Sequence, residues 1–161
     1  PFYYEEPVRQ GVLTYKFGNA PARGKVFGRM LGEDLLSRGI DDFDLISWVP
    51  LSAKRYRRRG YDQAQILAEA AAEVLGTKAV PLLRKSRDVS PQSRLHSPEE
   101  RRANISGCYV VRSADAVRGK DILLIDDIIT TGSTLSECAR MLLTAGAKSV
   151  RGAALACHRE E

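Results

Sequence analysis

Residues 123–134 read LLIDDIITTGST. An apolar run ends in two adjacent carboxylates, Asp126 and Asp127, and a few residues later four hydroxyl side chains surround Gly132. The stretch 121–126, DILLID, predicts a buried strand, and the spacing of Leu135, Ala139 and Leu142 predicts a helix from Ser133 to Ala145. In such a strand–loop–helix unit the carboxylates fall at the carboxyl end of the strand, where open parallel sheets bind their ligands. Residues 130–134 then form the helix N-terminus, whose backbone N–H groups and dipole favour an anion, and Gly132 lets the backbone come close to it. Thr130, Thr131, Ser133 and Thr134 add hydroxyl donors, so the loop suits one phosphate dianion. Two carboxylates beside that phosphate would repel it unless a neutral group lies between them. A sugar phosphate meets the condition: its phosphate sits in the loop and its 2- and 3-hydroxyls donate to Asp126 and Asp127, which when ionised only accept.

Working outward, Val26, Phe27, Met30, Leu31 and Leu35 are spaced by threes and fours and predict a helix over 22–37, stopped by Gly39. DLISWVP (44–50) reads as a short strand closed by proline, followed by a basic loop. A second helix runs from Asp62 to Leu75, with Asp62 and Gln65 placed as a capping box and Gly76 as its stop. AVPLL (79–83) and GCYVV (107–111) read as strands on either side of a long polar connection, and SVRGAALAC (149–157) as a final strand. VLTYKF (12–17) fits a short strand or the start of a helical hairpin, and periodicity leaves the two open. Strands alternating with helices predict an α/β domain, a mostly parallel central sheet with helices on both faces, over residues 1–161 as one unit.

The composition, 43% hydrophobic and 28% charged, is that of a globular chain, and no apolar run reaches the roughly 20 residues of a membrane span. Of the net charge of +5, KRYRRR (54–59) contributes +5 and residues 84–102 contribute +3, leaving −3 for the rest. Basicity confined to two stretches marks anion sites, for a small polyphosphate or a weak contact with a nucleic acid backbone. Cys108, Cys138 and Cys157 are odd in number and set in apolar runs, which predicts buried thiols in a cytoplasmic protein. The chain opens at Pro1 with no initiator Met, so a lost N-terminal segment is expected.

LLIDDIITTGST resembles the phosphoribosyl pyrophosphate signature of type I phosphoribosyltransferases over all twelve residues. VPLSAKRYRRRGYDQAQILA and SPQSRLHSPEERRANISGCYVV, followed by that loop, resemble the ComF family of phosphoribosyltransferase-like proteins, associated with competence and DNA uptake. The resemblance implies the type I phosphoribosyltransferase fold, with Asp126 and Asp127 as ribose-binding and catalytic carboxylates and Thr130, Thr131, Gly132, Ser133 and Thr134 as the 5-phosphate loop. It implies a pyrophosphate-gripping loop after the strand at 44–49, where Ser52, Lys54 and Arg55 stand. It further implies a flexible loop between two antiparallel strands, within 84–106, that folds over the site; Arg87, Gln92, Arg94, Arg101 and Asn104 are its polar candidates. Mg²⁺ is the implied cofactor, bridging pyrophosphate and ribose oxygens near Asp126 and Asp127. A nitrogenous acceptor attacks the anomeric carbon and pyrophosphate leaves, with Asp127 as a base toward the nucleophile. Many family members carry a cysteine-rich zinc module ahead of this domain; this chain has no C-x-x-C.

Rival readings are fewer. The strand with its two acids also fits the metal-binding strand of a P-loop ATPase, but the chain has no G-x-x-x-x-G-K-[ST]. His96 and His158 have no partner at metal-ligand spacing. A regulatory protein that binds phosphoribosyl pyrophosphate or nucleotides without catalysis, and a nucleic-acid-associated competence factor, stand beside the enzyme. A second copy of the chain, as a homo-oligomer, is left open as a partner.

Overall fold

A computed structural model of the chain describes residues 2–17, 20–87 and 105–157. In chain order the elements are β1 (Phe2–Tyr3), α1 (Val8–Phe17), α2 (Pro21–Ser37), β2 (Leu45–Trp48), α3 (Ala53–Arg59), α4 (Gln63–Val74), β3 (Leu83–Lys85), β4 (Tyr109–Val111), α5 (Ala114–Val117), β5 (Asp121–Ile129), α6 (Ser133–Thr144) and β6 (Ser149–Cys157). The first sheet is all parallel in the order β1-β6-β5-β2, and Ala79 extends it by a parallel bridge to Ile46. A separate antiparallel pair, β3 with β4, packs beside it. The expected α/β architecture with a parallel sheet between helices is therefore present.

β5 is apolar on both faces because both are covered, as parallel strands require. Leu123 and Ile125 join Ile46, Trp48, Leu67, Ala71 and Leu31 in a core beneath α2 and α4. Ile122 and Leu124 join Leu135, Cys138, Leu142, Leu83 and Tyr109 in a second core beneath α6 and the β3–β4 pair.

The seam between α2 and α4 corrects the reading of α2. Leu31 and Leu35 are buried as expected, but Val26 is 58% exposed and Met30 40% exposed. The face turned to α4 is instead Gly24, Gly28, Gly32 with Leu31 and Leu35. A Cβ on Gly28 would lie 2.6 Å from Leu67 O and from Ala70 Cβ, and one on Gly32 would lie 2.9 Å from Val74 Cβ. The two helices approach too closely for any side chain on those turns, and the alanines of α4 supply the facing surface.

One element left open is decided here, and three further elements depart from the sequence reading. VLTYKF belongs to α1, with Val12 and Tyr15 in the first core. The basic stretch is helical rather than a loop: Ser52 caps α3 by accepting from Arg55 N–H at 3.3 Å, and Gly60, at φ 80°, ends it. AVPLL divides between the Ala79 bridge and β3, which begins only at Leu83. β5 continues three residues past Asp126, paired with β6 as far as Ile129↔Cys157.

Candidate functional site

The site is made by two neighbouring strands whose chains leave in opposite directions. From β2 the chain passes through α3 and α4 to the Ala79 bridge on one side; from β5 it passes through α6 to β6 on the other. That divergence opens a crevice at the carboxyl ends of the two strands. Pairing between β2 and β5 stops at Trp48↔Ile125, closed by Val49 N–H donating to Ile125 O at 2.9 Å. The turn 49–52 borders the crevice on one side and residues 126–134 on the other.

On the β5 side a shallow pocket, open to solvent, is lined by Asp126, Ile128, Ile129, Thr130, Gly132, Ser133, Thr134 and Leu135. Gly132 is the N-cap residue of α6 in the left-handed conformation, φ 67°, and no side chain caps that helix. Among the described residues nothing lies within 4 Å of where a Cβ on Gly132 would be. Thr131 Oγ1 and Ser133 Oγ are 2.8 Å apart, orienting each other beside the first turn. Four of the five residues expected to hold a phosphate line this pocket with Asp126, and the fifth, Thr131, is tied to it by that bond.

Asp127 does not line the pocket. Its charge acts on Tyr15, Arg59 and Asp62, which stand on the α1 and α4 side of the sheet, whereas that of Asp126 acts on Tyr109 and Cys138 on the α6 side. Adjacent residues of a strand point to opposite faces, and these two do so. Asp127 N–H donates to Asp126 Oδ1 at 2.8 Å. Burial, then Asp127, pushes the Tyr15 phenol well above its ordinary value, and burial, then Cys138 and Asp126, does the same to Tyr109. Burial holds the Arg59 guanidinium below its usual value against the opposing pull of Asp127.

Ser52, Lys54 and Arg55 stand at the start of α3, just past the carboxyl end of β2, in different states. Ser52 is buried with its hydroxyl engaged as the α3 cap, Lys54 is exposed, and Arg55 is half-buried. The sequence reading passed over Asp62 as more than a cap. It is 6% exposed; Oδ1 accepts from Ala64 N–H and Gln65 N–H at 3.1 and 3.3 Å, and Oδ2 accepts from Leu51 N–H at 2.8 Å. The Gln65 side-chain amide donates to Glu69 Oε1 at 2.8 Å. Burial raises the Asp62 carboxyl to about 6, with Asp127 adding to the shift and the backbone bonds opposing it.

Of the loop candidates, Arg87 is bonded to the returning chain, donating to Ser106 O at 2.9 Å, at the base of the β3–β4 pair. Gln92, Arg94, Arg101 and Asn104, with His96 and His158, lie outside the described residues. Glu137 on α6 holds the far side of that base by accepting from Gly107 N–H at 2.8 Å, and Arg140 keeps its carboxyl below the usual range.

Comparison with known proteins agrees with this geometry. Residues 58–161 match the phosphoribosyl transferase domain family. The chain is 34% identical over 150 residues to the competence protein ComFC of Streptococcus pneumoniae, covering 93% of this chain and 63% of that one. It is 31% identical over 153 residues to the DNA utilization protein YhgH of Salmonella typhimurium, covering 92% and 66%. It thus spans somewhat less than two thirds of the length of these curated relatives. Among solved structures, glutamine phosphoribosylpyrophosphate amidotransferase from B. subtilis is similar at a TM-score of 0.55 and 25% identity, over 80% of this chain and 25% of that one. No described helix is long and apolar enough to cross a membrane. With its crevice, its glycine-hinged hydroxyl loop and these relatives, the chain belongs to the phosphoribosyl transferase domain family, as a ComF-type, phosphoribosyltransferase-like protein.

Proposed function

We propose that this domain binds phosphoribosyl pyrophosphate and transfers phosphoribose to or from a nitrogenous acceptor, with pyrophosphate as the leaving group. The observation that carries the reading is the pocket at the start of α6, where Thr130, Gly132, Ser133 and Thr134 face the same space as Asp126. The 5-phosphate is held by that first turn, whose N–H groups and dipole favour a dianion. The ribose lies toward Asp126 and Asp127, and the pyrophosphate toward Lys54 and Arg55 across the crevice.

The chain's own groups then divide the charge that develops as the anomeric bond breaks. Carboxylates at 126 and 127 stabilise the oxocarbenium-like sugar, and the cations of α3 stabilise the departing pyrophosphate. Asp127, on the α1 and α4 face, is the carboxylate placed to take a proton from a nucleophile arriving from that side. The donor set fits Mg²⁺ carried mainly by the ligand: among the described residues no three His, Cys, Asp or Glu side chains converge, and Mg²⁺ is commonly bound through one or two carboxylates together with phosphate oxygens and water. Asp126 and Asp127 are the residues that would hold it, and when bound it neutralises phosphate charge.

Isothermal titration with phosphoribosyl pyrophosphate and Mg²⁺, then pyrophosphate release against a panel of nitrogenous bases, tests the reading. Binding with release for one base supports transfer. Binding without release for any base supports the alternative, a non-catalytic phosphoribosyl pyrophosphate or nucleotide-binding competence factor. Absence of binding removes both.

A nucleic acid contact is favoured by a specific feature. α3 contributes no residue to either core, Tyr56 on it is 48% exposed, and Lys54, Arg57 and Arg58 are exposed with no ion-pair partner among the described residues. The names of the relatives, which speak of competence and DNA utilization, point the same way. Anisotropy of a labelled single strand should show affinity that falls with salt and weakens when Arg57 and Arg58 become Ala.

A further inference from the structure

No residue of α3 belongs to either hydrophobic core, although Arg55 and Arg59 are half-buried. Hydrogen bonds at its two ends help to fix its position. At the far end Arg59 Nη1 donates to Gln63 Oε1 at 2.8 Å. At the near end, the turn 49–52 has few backbone donors to anchor it: Val49 N–H goes to Ile125 O, Pro50 has none, and Leu51 N–H goes to Asp62 Oδ2.

The Asp62 carboxylate is an unusual choice for that task. A helix cap needs only one acceptor oxygen, which Ser, Thr or Asn supplies without a charge. Here a carboxylate is buried without a cation against it in any described ion pair, on the same side of the sheet as Asp127 and near Tyr15. Both oxygens are used, one on α4 and one on Leu51, eleven positions earlier in the chain. A serine cap would satisfy α4 and leave Leu51 unheld.

We propose that Asp62 is a positioning residue for the pyrophosphate end of the site, its second carboxylate oxygen holding the turn at Leu51 and with it Ser52, Lys54 and Arg55 against the crevice. This rests on the phosphoribosyl pyrophosphate reading above. Among the described residues, the groups acting on Asp62 are Asp127 from β5, Tyr15 from α1 and the N–H groups of α4, and the bond that Leu51 N–H makes is to Asp62 Oδ2.

The test compares wild type, D62N and D62S by titration with two ligands, phosphoribosyl pyrophosphate with Mg²⁺ and ribose 5-phosphate. Both variants keep an oxygen for the α4 cap. The expected result is ribose 5-phosphate affinity within about twofold of wild type and at least a tenfold loss for phosphoribosyl pyrophosphate, because only the second ligand reaches the turn. Equal losses on both ligands, or none on either, overturn the proposal. Should the variants not fold, amide exchange of the wild type decides: Leu51 N–H should be as protected as the β5 ladder, and an unprotected Leu51 overturns it. Should wild type bind neither ligand, the phosphoribosyl pyrophosphate reading fails by itself. D62N should then still deprotect the amides of 51–55 while sparing β5, and unchanged exchange there overturns the positioning role.

Discussion

Asp126 and Asp127 are consecutive in sequence and serve opposite faces of the sheet: the first borders the phosphate pocket on the α6 side, the second acts on Tyr15, Arg59 and Asp62 under α1 and α4. The two are therefore separable by mutation. D126N should weaken ribose 5-phosphate and phosphoribosyl pyrophosphate alike, by about 10- to 100-fold, the range for a lost hydrogen bond to a charged group. D127N should reduce turnover with a nitrogenous base more than it reduces affinity. Titration and pyrophosphate release, run side by side, check both.

Joint replacement of Lys54 and Arg55 by Ala should weaken phosphoribosyl pyrophosphate at least tenfold and leave ribose 5-phosphate nearly unchanged, since only the former carries the group they face. A uniform loss, abolished by added salt, would instead mark a general field of the basic helix.

Gly132 combines a φ of 67° with nothing among the described residues within 4 Å of its Cβ position. Gly132→Val should cost about 1–2 kcal/mol of stability from the left-handed backbone alone and, in addition, place a side chain where the phosphate approaches. Urea unfolding measures the first effect and titration with ribose 5-phosphate the second; an affinity equal to wild type would remove the phosphate from this turn.

At the α2–α4 seam, Gly28→Ala should destabilise by about 1–3 kcal/mol despite the better helix propensity of alanine, because the new methyl meets Leu67 O at 2.6 Å. Gly39→Ala, at the exposed end of the same helix with nothing near, separates backbone strain from packing in the same urea experiment.

Asp62 titrates at about 6 in the folded chain, above the ordinary carboxyl value of 3.8, because burial disfavours its charge. A folded-state value raised above the unfolded one gives stability that is fully present below about pH 4 and lost as pH rises through 6. Wild type should therefore lose about 2 kcal/mol relative to D62N between pH 4 and 7. Parallel stability curves for the two across that range would place the carboxyl at its ordinary value.

The strand–loop–helix at 121–144 was legible because its signals are local: apolar residues, acids, hydroxyls and a glycine in one run. What escaped was set by neighbours. Val26 and Met30 carry the apolar periodicity of α2 yet face solvent, since hydropathy assigns nothing to Gly24, Gly28 and Gly32, whose value lies in what they omit. KRYRRR looked like a loop by charge, while its helical signals, Ser52 before it and Gly60 after it, were present and outweighed. The strand at β5 ran longer than its apolar stretch because β6 pairs with Asp126 and Ile129 through backbone, indifferent to their side chains. The bond from Leu51 to Asp62 joins residues eleven positions apart, a spacing to which neither helical nor strand periodicity gives meaning.

Beyond Ile125, β5 is an interior strand toward β6 and an edge toward β2. Exposed edges offer unpaired donors to any passing chain, and proteins commonly blunt them. Here the first such donor, Asp127 N–H, is taken by the side chain of Asp126, so the carboxylate that borders the ligand pocket also occupies the first free edge donor of the strand. An alanine at 126 would remove both functions together and expose a sticky ribbon at the mouth of the crevice. Asparagine keeps an oxygen for that backbone donor, which makes D126N the informative variant and gives D126A a tendency to aggregate, visible by light scattering, that has nothing to do with sugar binding.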